Sequence, residues 1–168
     1  MTGLRAYLSL GGNIGEPEQA MGAALRALDA EPAIEVTAVS SLYRTPPWGK
    51  TDQPDFLNCA AELTTTLSPR ALIDTCLAAE RALKRERLER WGPRVIDIDI
   101  LTFGDVEIDE PGLQIPHPRM LERAFVLVPL AEIAPGMRLD GRSVEERASA
   151  FAQTGIEKLG AGRNWWRR

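Results

Sequence analysis

The chain has 168 residues, 44% of them hydrophobic and 26% charged, with a net charge of −4. That is enough for one domain with a real core and short for two, and the acidity argues against a broad nucleic-acid surface. Its apolar runs fall far short of a membrane span, and Cys59 and Cys76 are too far apart for a C-x-x-C motif or a disulfide framework. The opening residues, MTGLRAYLSLGG, enter a strand pattern directly, without a basic region, apolar core and cleavage site. No signal peptide is read, and a single cytoplasmic domain over residues 1–168 with reduced thiols is expected.

RAYLSL alternates, with Ala6, Leu8 and Leu10 on one face, and reads as a strand. GGNIGEP is a turn. A helix follows, with Pro17 in its first turn and Met21, Ala24, Leu25 and Leu28 on one stripe. IEVTAVSSLYR is strand-like, and the polar, proline-rich TPPWGKTDQPD is a long loop. FLNCAAELTT is a strand with Leu57, Cys59, Ala61 and Leu63 on one face and Phe56, Asn58 and Ala60 on the other. Ser68 caps a helix that Pro69 starts, with Leu72, Cys76, Ala79 and Leu83 inward. The strand VIDIDIL comes next. A loop, GLQIPHPRM, a short helix at AFVLVPLAEI and a helix from Ser143 to about Ala152 complete the reading, and the WW tail stays unassigned. The order strand–helix–strand–strand–helix–strand predicts an α+β sandwich, with two helices on one face of a largely antiparallel sheet and the other face open to ligand.

The VIDIDIL strand raises the first functional question. Ile96, Ile98 and Ile100 share one face and Asp97 and Asp99 the other, the two carboxylates about 7 Å apart at the backbone. A solvated face is one reading. A magnesium site is the other, because that ion takes one or two carboxylates together with substrate phosphates. Just upstream, residues 80–94 carry six basic side chains (Arg81, Lys84, Arg85, Arg87, Arg90, Arg94) against Glu80, Glu86 and Glu89, a local net of +3 in an acidic chain. This is either a solvated helix end or a clamp for a polyanion, to which arginine's planar fork is suited.

Other motifs are weaker. SLGGNIGEP matches neither the P-loop nor G-x-G-x-x-G, since Leu10 stands where the first glycine belongs, and a tight turn is expected there. The glycines also leave room for a flat ligand against the backbone. His117, the only histidine, lies between two prolines that favour an extended, rigid frame, which tilts it toward a phosphate contact. Trp48 in the stiff TPPW loop either covers a sheet edge or faces a ligand. Trp91, between arginines, either anchors its loop or stacks on a guanidinium or a purine. With one histidine and two separated cysteines there is no zinc set, and no Ser–His–Asp arrangement can be assembled.

Taken together, YLSLGGNIG, SSLYRTPPWG, DQPDFLN, E-x-x-L-x-R-x-R-x-x-R-W-G-P-R from Glu80, DIDIL, PHPRM and RAFVLVPLAEIAP resemble the 6-hydroxymethyl-7,8-dihydropterin pyrophosphokinase family, in family order from about Tyr7 to Pro135. The resemblance implies a ferredoxin-like α+β fold and transfer of pyrophosphate from ATP to the pterin hydroxymethyl oxygen, releasing AMP, in folate biosynthesis. It implies that Asp97 and Asp99 hold two magnesium ions bridging the triphosphate. Arg85, Arg87 and Arg94 would meet the phosphates beside His117, with Arg85 and Arg87 on a mobile loop. Trp91 and Arg123 would shape the nucleotide side. Asn58 would bond the pterin, Phe56 and Phe125 would sandwich its ring, and Thr45, Pro46 and the backbone near Trp48 would read its edge. ATP and the pterin are then the partners, with no nucleic acid or membrane and a monomer expected.

The chain departs from the family's pattern at Lys84 (commonly glycine), Phe56 (tyrosine in some members), Gly12 (frequently serine), and Gly112 and Gln114 (arginine and threonine in some). A catalytically silent binding module and a nucleotidyltransferase that releases pyrophosphate are the competing readings.

Overall fold

The computed structural model describes residues 3–47, 52–85, 95–151, 154–160 and 162–168, with residues 84 and 85 described by backbone alone. Its centre is a six-stranded sheet built on β1 (Leu4–Gly12) and β4 (Phe56–Thr65). These two long strands pair antiparallel over their whole length, from Leu4 opposite Thr65 to Gly12 opposite Leu57. β5 (Asp97–Phe103) pairs with the other side of β1 and forms one edge. β2 (Ile34–Val39) and β3 (Tyr43–Thr45) share the free side of β4, the first along its C-terminal half and the second along its N-terminal end. All of these pairings are antiparallel, as expected.

The single strand expected over IEVTAVSSLYR is thus two strands, and Ser40 accounts for the break. The Ser40 backbone N–H donates to Ala60 O at 2.9 Å, and the Ser40 hydroxyl accepts from Ala60 N at 2.9 Å. A side chain thereby replaces one rung of the ladder, which is how serine competes with regular structure.

α1 (Pro17–Asp29) and α2 (Pro69–Arg85) cover one face of the sheet. Pro17 occupies the first turn of α1, and Ser68 caps α2 by accepting from Ala71 N at 3.1 Å. Met21, Leu25 and Leu28 of α1 and Leu72 and Cys76 of α2 are fully buried against Ala6, Leu8, Leu10, Leu63, Ile98 and Ile100. A bulge near Leu101 flips the alternation of β5. Leu101 faces away from this core like Asp97 and Asp99, and the bulge returns Phe103 to it.

The opposite face is only partly open. α3 (Ala124–Ile133) lies across it and packs Val126, Leu127 and Leu130 onto Tyr7, Ala60 and Leu101. The loop around GLQIPHPRM contains a hairpin, β6 (Ile108–Glu110) with β7 (Leu113–Ile115), and a second hairpin joins β8 (Arg138–Leu139) to β9 (Arg142–Ser143). α4 (Val144–Ser149) starts where expected, with Ser143 accepting from Glu146 N, and ends earlier. Two described parts of the tail pack on the body: β10 (Glu157–Lys158) adds to β3, and Trp165 and Trp166 are buried against α1. No helix among the described residues is long and apolar enough to cross a membrane.

Candidate active site

Beyond the N-terminal end of α3, the second sheet face opens into a cavity of about 470 Å³. Ser9 and Gly11 of β1, Thr45 of β3, Phe56 and Asn58 of β4 and the Asp97–Asp99 pair of β5 line its sheet side. Gln53, His117, Arg123 and Phe125 close it from the loops and from α3. Antiparallel pairing explains the convergence. Gly11 is opposite Asn58 on one side and Asp97 on the other, so residues distant in sequence share one row.

Asn58 is almost completely buried and donates from Nδ2 to Thr45 Oγ1 at 3.0 Å. Gly11 makes this placement possible, since a Cβ there would lie 2.5 Å from Asn58 Oδ1. At Gly12 a Cβ would lie 2.2 Å from Val95 O. Close packing inside the sheet therefore explains these glycines, and the turn itself falls on Gly15 at φ 67°. Asn13, buried at the end of β1, donates to Gln53 Oε1 at 2.8 Å and to Pro54 O at 3.3 Å, which brings Gln53 to the cavity. The Arg123 guanidinium lies 5.6 Å from the centre of the Phe125 ring, within cation–π range.

Asp97 and Asp99 are half-buried on the cavity side, while Ile96, Ile98 and Ile100 enter the core. The edge strand that carries them is fixed from outside. Ile98 N–H donates to Glu80 Oε1 at 2.6 Å, and His117 N–H donates to Leu101 O at 2.9 Å. His117 Nδ1 accepts from Arg119 N–H at 3.2 Å, so the neutral ring carries its proton on Nε2 and presents a donor there. Burial pushes the His117 pKa down, and Arg119 and Arg123 add to this against the opposing pull of Asp99. The peptide bond between Ile115 and Pro116 is cis.

Asp99 and His117 also line a second hollow of about 570 Å³, with Gly112, Leu113 and Gln114 of the β6–β7 hairpin and Ile73 of α2. The two hollows meet at these shared side chains. The donor set suits magnesium: two carboxylates on one side of a strand, beside room for phosphate oxygens and water. No group of three or more potential metal ligands comes together among the described residues. Burial pushes the Cys76 thiol up to about 12, with Glu80 and Asp99 adding to it, and burial alone raises Cys59 further; neither is a nucleophile at neutral pH.

Of the residues expected at the site, Thr45, Phe56, Asn58, Asp97, Asp99, His117, Arg123 and Phe125 line one cavity. Pro46 is exposed and is not among the lining residues. Trp48, Arg87, Trp91 and Arg94 lie outside the described residues, and Arg85 is placed only as the last residue of α2. Sequence reasoning did not assign Ser9, Asn13, Gln53 or Glu80. An asparagine directly after a strand and the acid that opens a basic stretch were the available signals.

A profile of the family 7,8-dihydro-6-hydroxymethylpterin-pyrophosphokinase matches residues 7–135. The chain belongs to this family. It is 49% identical over 155 residues to the 2-amino-4-hydroxy-6-hydroxymethyldihydropteridine pyrophosphokinase of Methylorubrum extorquens, covering 92% of this chain and 98% of that protein. It is 47% identical over 156 residues to the protein of the same name from Pseudomonas aeruginosa, covering 92% and 96%. Among solved structures, the HPPK-DHPS protein of Plasmodium falciparum superposes with a TM-score of 0.70 at 15% identity, over 89% of this chain and 43% of that one, a likeness of fold. Both the ferredoxin-like α+β architecture and the pyrophosphokinase assignment are borne out. The chain is a transferase of folate biosynthesis that moves pyrophosphate from ATP to 6-hydroxymethyl-7,8-dihydropterin.

Proposed function

We propose that the two adjoining hollows are the two substrate sites of this reaction. The pterin lies between Phe56 and Phe125, with Asn58 and Thr45 at its edge. The triphosphate lies across Asp97, Asp99 and His117, and the nucleoside extends toward Gly112 and Gln114. The observation that carries this reading is that Asp99 and His117 belong to both hollows, where a group passing from one substrate to the other must be held.

The hydroxymethyl oxygen attacks the β-phosphorus of ATP. A bond forms from that oxygen to the β-phosphorus, the bond from the β-phosphorus to the oxygen bridging the α-phosphate breaks, AMP leaves, and the hydroxyl proton passes to solvent. Such transfers depend on positioning and charge neutralisation more than on covalent chemistry. Phe56 and Phe125 orient the ring, Asn58 fixes its rotation, and His117 donates its Nε2 proton to a phosphate oxygen. Arg85, Arg87 and Arg94 complete the charge balance in this reading, with Trp91 beside the nucleotide and the backbone near Pro46 and Trp48 beside the pterin. Asp97 and Asp99 hold two magnesium ions. When bound, magnesium supplies positive charge that offsets the triphosphate and the charge developing on the attacking and leaving oxygens.

β10 pairs with β3, and Trp165 and Trp166 pack on α1, which supports one domain over residues 1–168; a monomer is proposed for it. ATP as donor and two buried free thiols support a cytoplasmic setting.

The test is to incubate the protein with ATP, magnesium and 6-hydroxymethyl-7,8-dihydropterin and to identify the products by mass spectrometry. AMP and a pterin heavier by a diphosphate are expected. Pyrophosphate with an adenylylated pterin would move the reaction to nucleotidyl transfer, and no product would leave a binding module.

A further inference from the structure

At the far end of α3 from the cavity, Glu132 gathers polar partners from β3, from the residues before it and from the C-terminal tail. Its Oε1 accepts from Tyr43 OH at 2.6 Å, its Oε2 accepts from Arg163 Nε at 2.7 Å and from Ser41 Oγ at 3.1 Å, and Ser41 N–H is 3.1 Å from both oxygens. Arg163 Nη2 also donates to the Glu132 carbonyl at 3.0 Å, and Lys158 Nζ stands 4.0 Å from Oε1. The Glu132 side chain is only 8% exposed: its bonds from Tyr43 and Ser41 are partly buried, while Arg163 and Lys158 reach it from the solvent side.

We propose that Glu132 is a positioning residue for the pterin, setting the gap between Phe125 on α3 and Thr45 and Asn58 on the sheet. The inference rests on reading that cavity as the pterin site. Glu132 lies seven residues, about two turns, beyond Phe125, so both point from the same side of α3. Tyr43 lies two residues before Thr45, so both point from the same face of β3, and Tyr43 is paired with Asn58 across to β4. The chain of links therefore runs from Phe125 along α3, past Pro129, to Glu132, through Tyr43, and along β3 to Thr45.

The other attachment of α3 to the sheet is apolar, through Val126, Leu127 and Leu130. Apolar contact is non-directional and tolerates sliding, whereas hydrogen bonds fix register. Burial and the Glu132 bond push the Tyr43 hydroxyl well above its usual range, so it remains a donor.

The C-terminal tail belongs to the same device. β10 pairs with β3, Leu159 N–H donates to Leu42 O at 2.8 Å, Trp165 Nε1 donates to Ser40 O at 2.9 Å, and Arg163 reaches Glu132. The tail thus holds residues 40–44, the stretch that leads into Thr45.

The test compares pterin and MgATP affinity, each measured by direct titration, for the wild type, Glu132→Gln, Tyr43→Phe, Arg163→Lys and Asn58→Ala. Displacements of about 1 Å cost roughly 100-fold at reacting centres, and at this remove Glu132→Gln should raise the pterin Kd about tenfold. MgATP affinity should stay within twofold. Tyr43→Phe should show the same selectivity at about threefold and should not add fully to Glu132→Gln in the double variant, because both break one link. Arg163→Lys, which keeps a charge on the carboxylate, should lose least. Equal loss toward both substrates, or loss that tracks only a lowered Tm, would make the cluster structural and overturn the proposal. Unchanged affinities in folded Glu132→Gln and Tyr43→Phe would overturn it as well, while Asn58→Ala still losing pterin binding would leave the site reading intact. A wild type that binds no pterin would sink the site reading and this inference together.

Discussion

β5 shows two surfaces of one strand under opposite demands. Its isoleucines enter a core sealed by α1 and α2, while the intervening Asp97 and Asp99 face a cavity that loops and the first turn of α3 close only in part. The buried side is held by many weak, interchangeable contacts. On the cavity side each contact is specific: Gly11 makes space for Asn58, Thr45 accepts from it, and His117 N–H locks the strand edge. Stability and chemistry are separated by the two-residue period of a strand, and substitutions on the two faces should fail in different ways.

The largest effect is expected on the cavity face. Asp97→Ala and Asp99→Ala should each lower kcat/KM by about 100-fold or more, equivalent to about 2.7 kcal/mol or more, with Tm close to the wild type. Near-normal turnover in both would break the comparison. On the core face, Ile98→Ala should cost roughly 2–5 kcal/mol of stability and lower Tm by about 5–15 °C for a domain of this size. Its kcat at a temperature where it stays folded should be retained within a few fold. If Ile98→Ala instead abolished turnover in folded protein, the faces would not be separable.

Gly11→Ala sits between these extremes. The new methyl must displace the Asn58 carboxamide, so about 1–3 kcal/mol of stability is lost to overpacking, and the pterin KM rises while that of ATP holds. A Gly11→Ala enzyme with unchanged pterin KM would show that Asn58 does not read the pterin.

The smallest effect is in acid. Burial pushes the Glu132 carboxyl up, but the bonds from Tyr43, Arg163 and Ser41 and the Lys158 charge outweigh it, so its pKa lies below the usual 4.5. A carboxylate depressed in the folded state stabilises fully above its unfolded pKa and loses that contribution as pH falls through the folded value. The Tm difference between wild type and Glu132→Gln should therefore be constant from about pH 7 to 5 and shrink below about pH 4.5. A difference that grew on acidification would reverse the assigned sign.

Periodicity made the core face legible. Met21, Leu25, Leu28, Leu72, Ile98 and Ile100 were all readable from spacing, because burial on one side of a helix or strand leaves a repeat in the sequence. The carboxylate pair was legible for the same reason, its exposure being the exception in an apolar strand. Resemblance was needed to join Asp97 to Phe56, Asn58 and Phe125, since proximity across strands leaves no local mark. The split at Ser40, the short hairpins and the burial of Trp165 and Trp166 were not readable. Each depends on a single hydrogen bond or a distant partner, such as Trp165 Nε1 to Ser40 O.

The fastening of β5 also bears on how the molecule behaves in a crowd. An edge strand rich in isoleucine is a template for pairing with other chains. Here Glu80 occupies the outward N–H of Ile98, and the His117 N–H occupies the outward carbonyl of Leu101. The groups that steady the carboxylates thereby also guard against self-association. Loss of Glu80 would be felt in solubility and shelf life as well as in turnover.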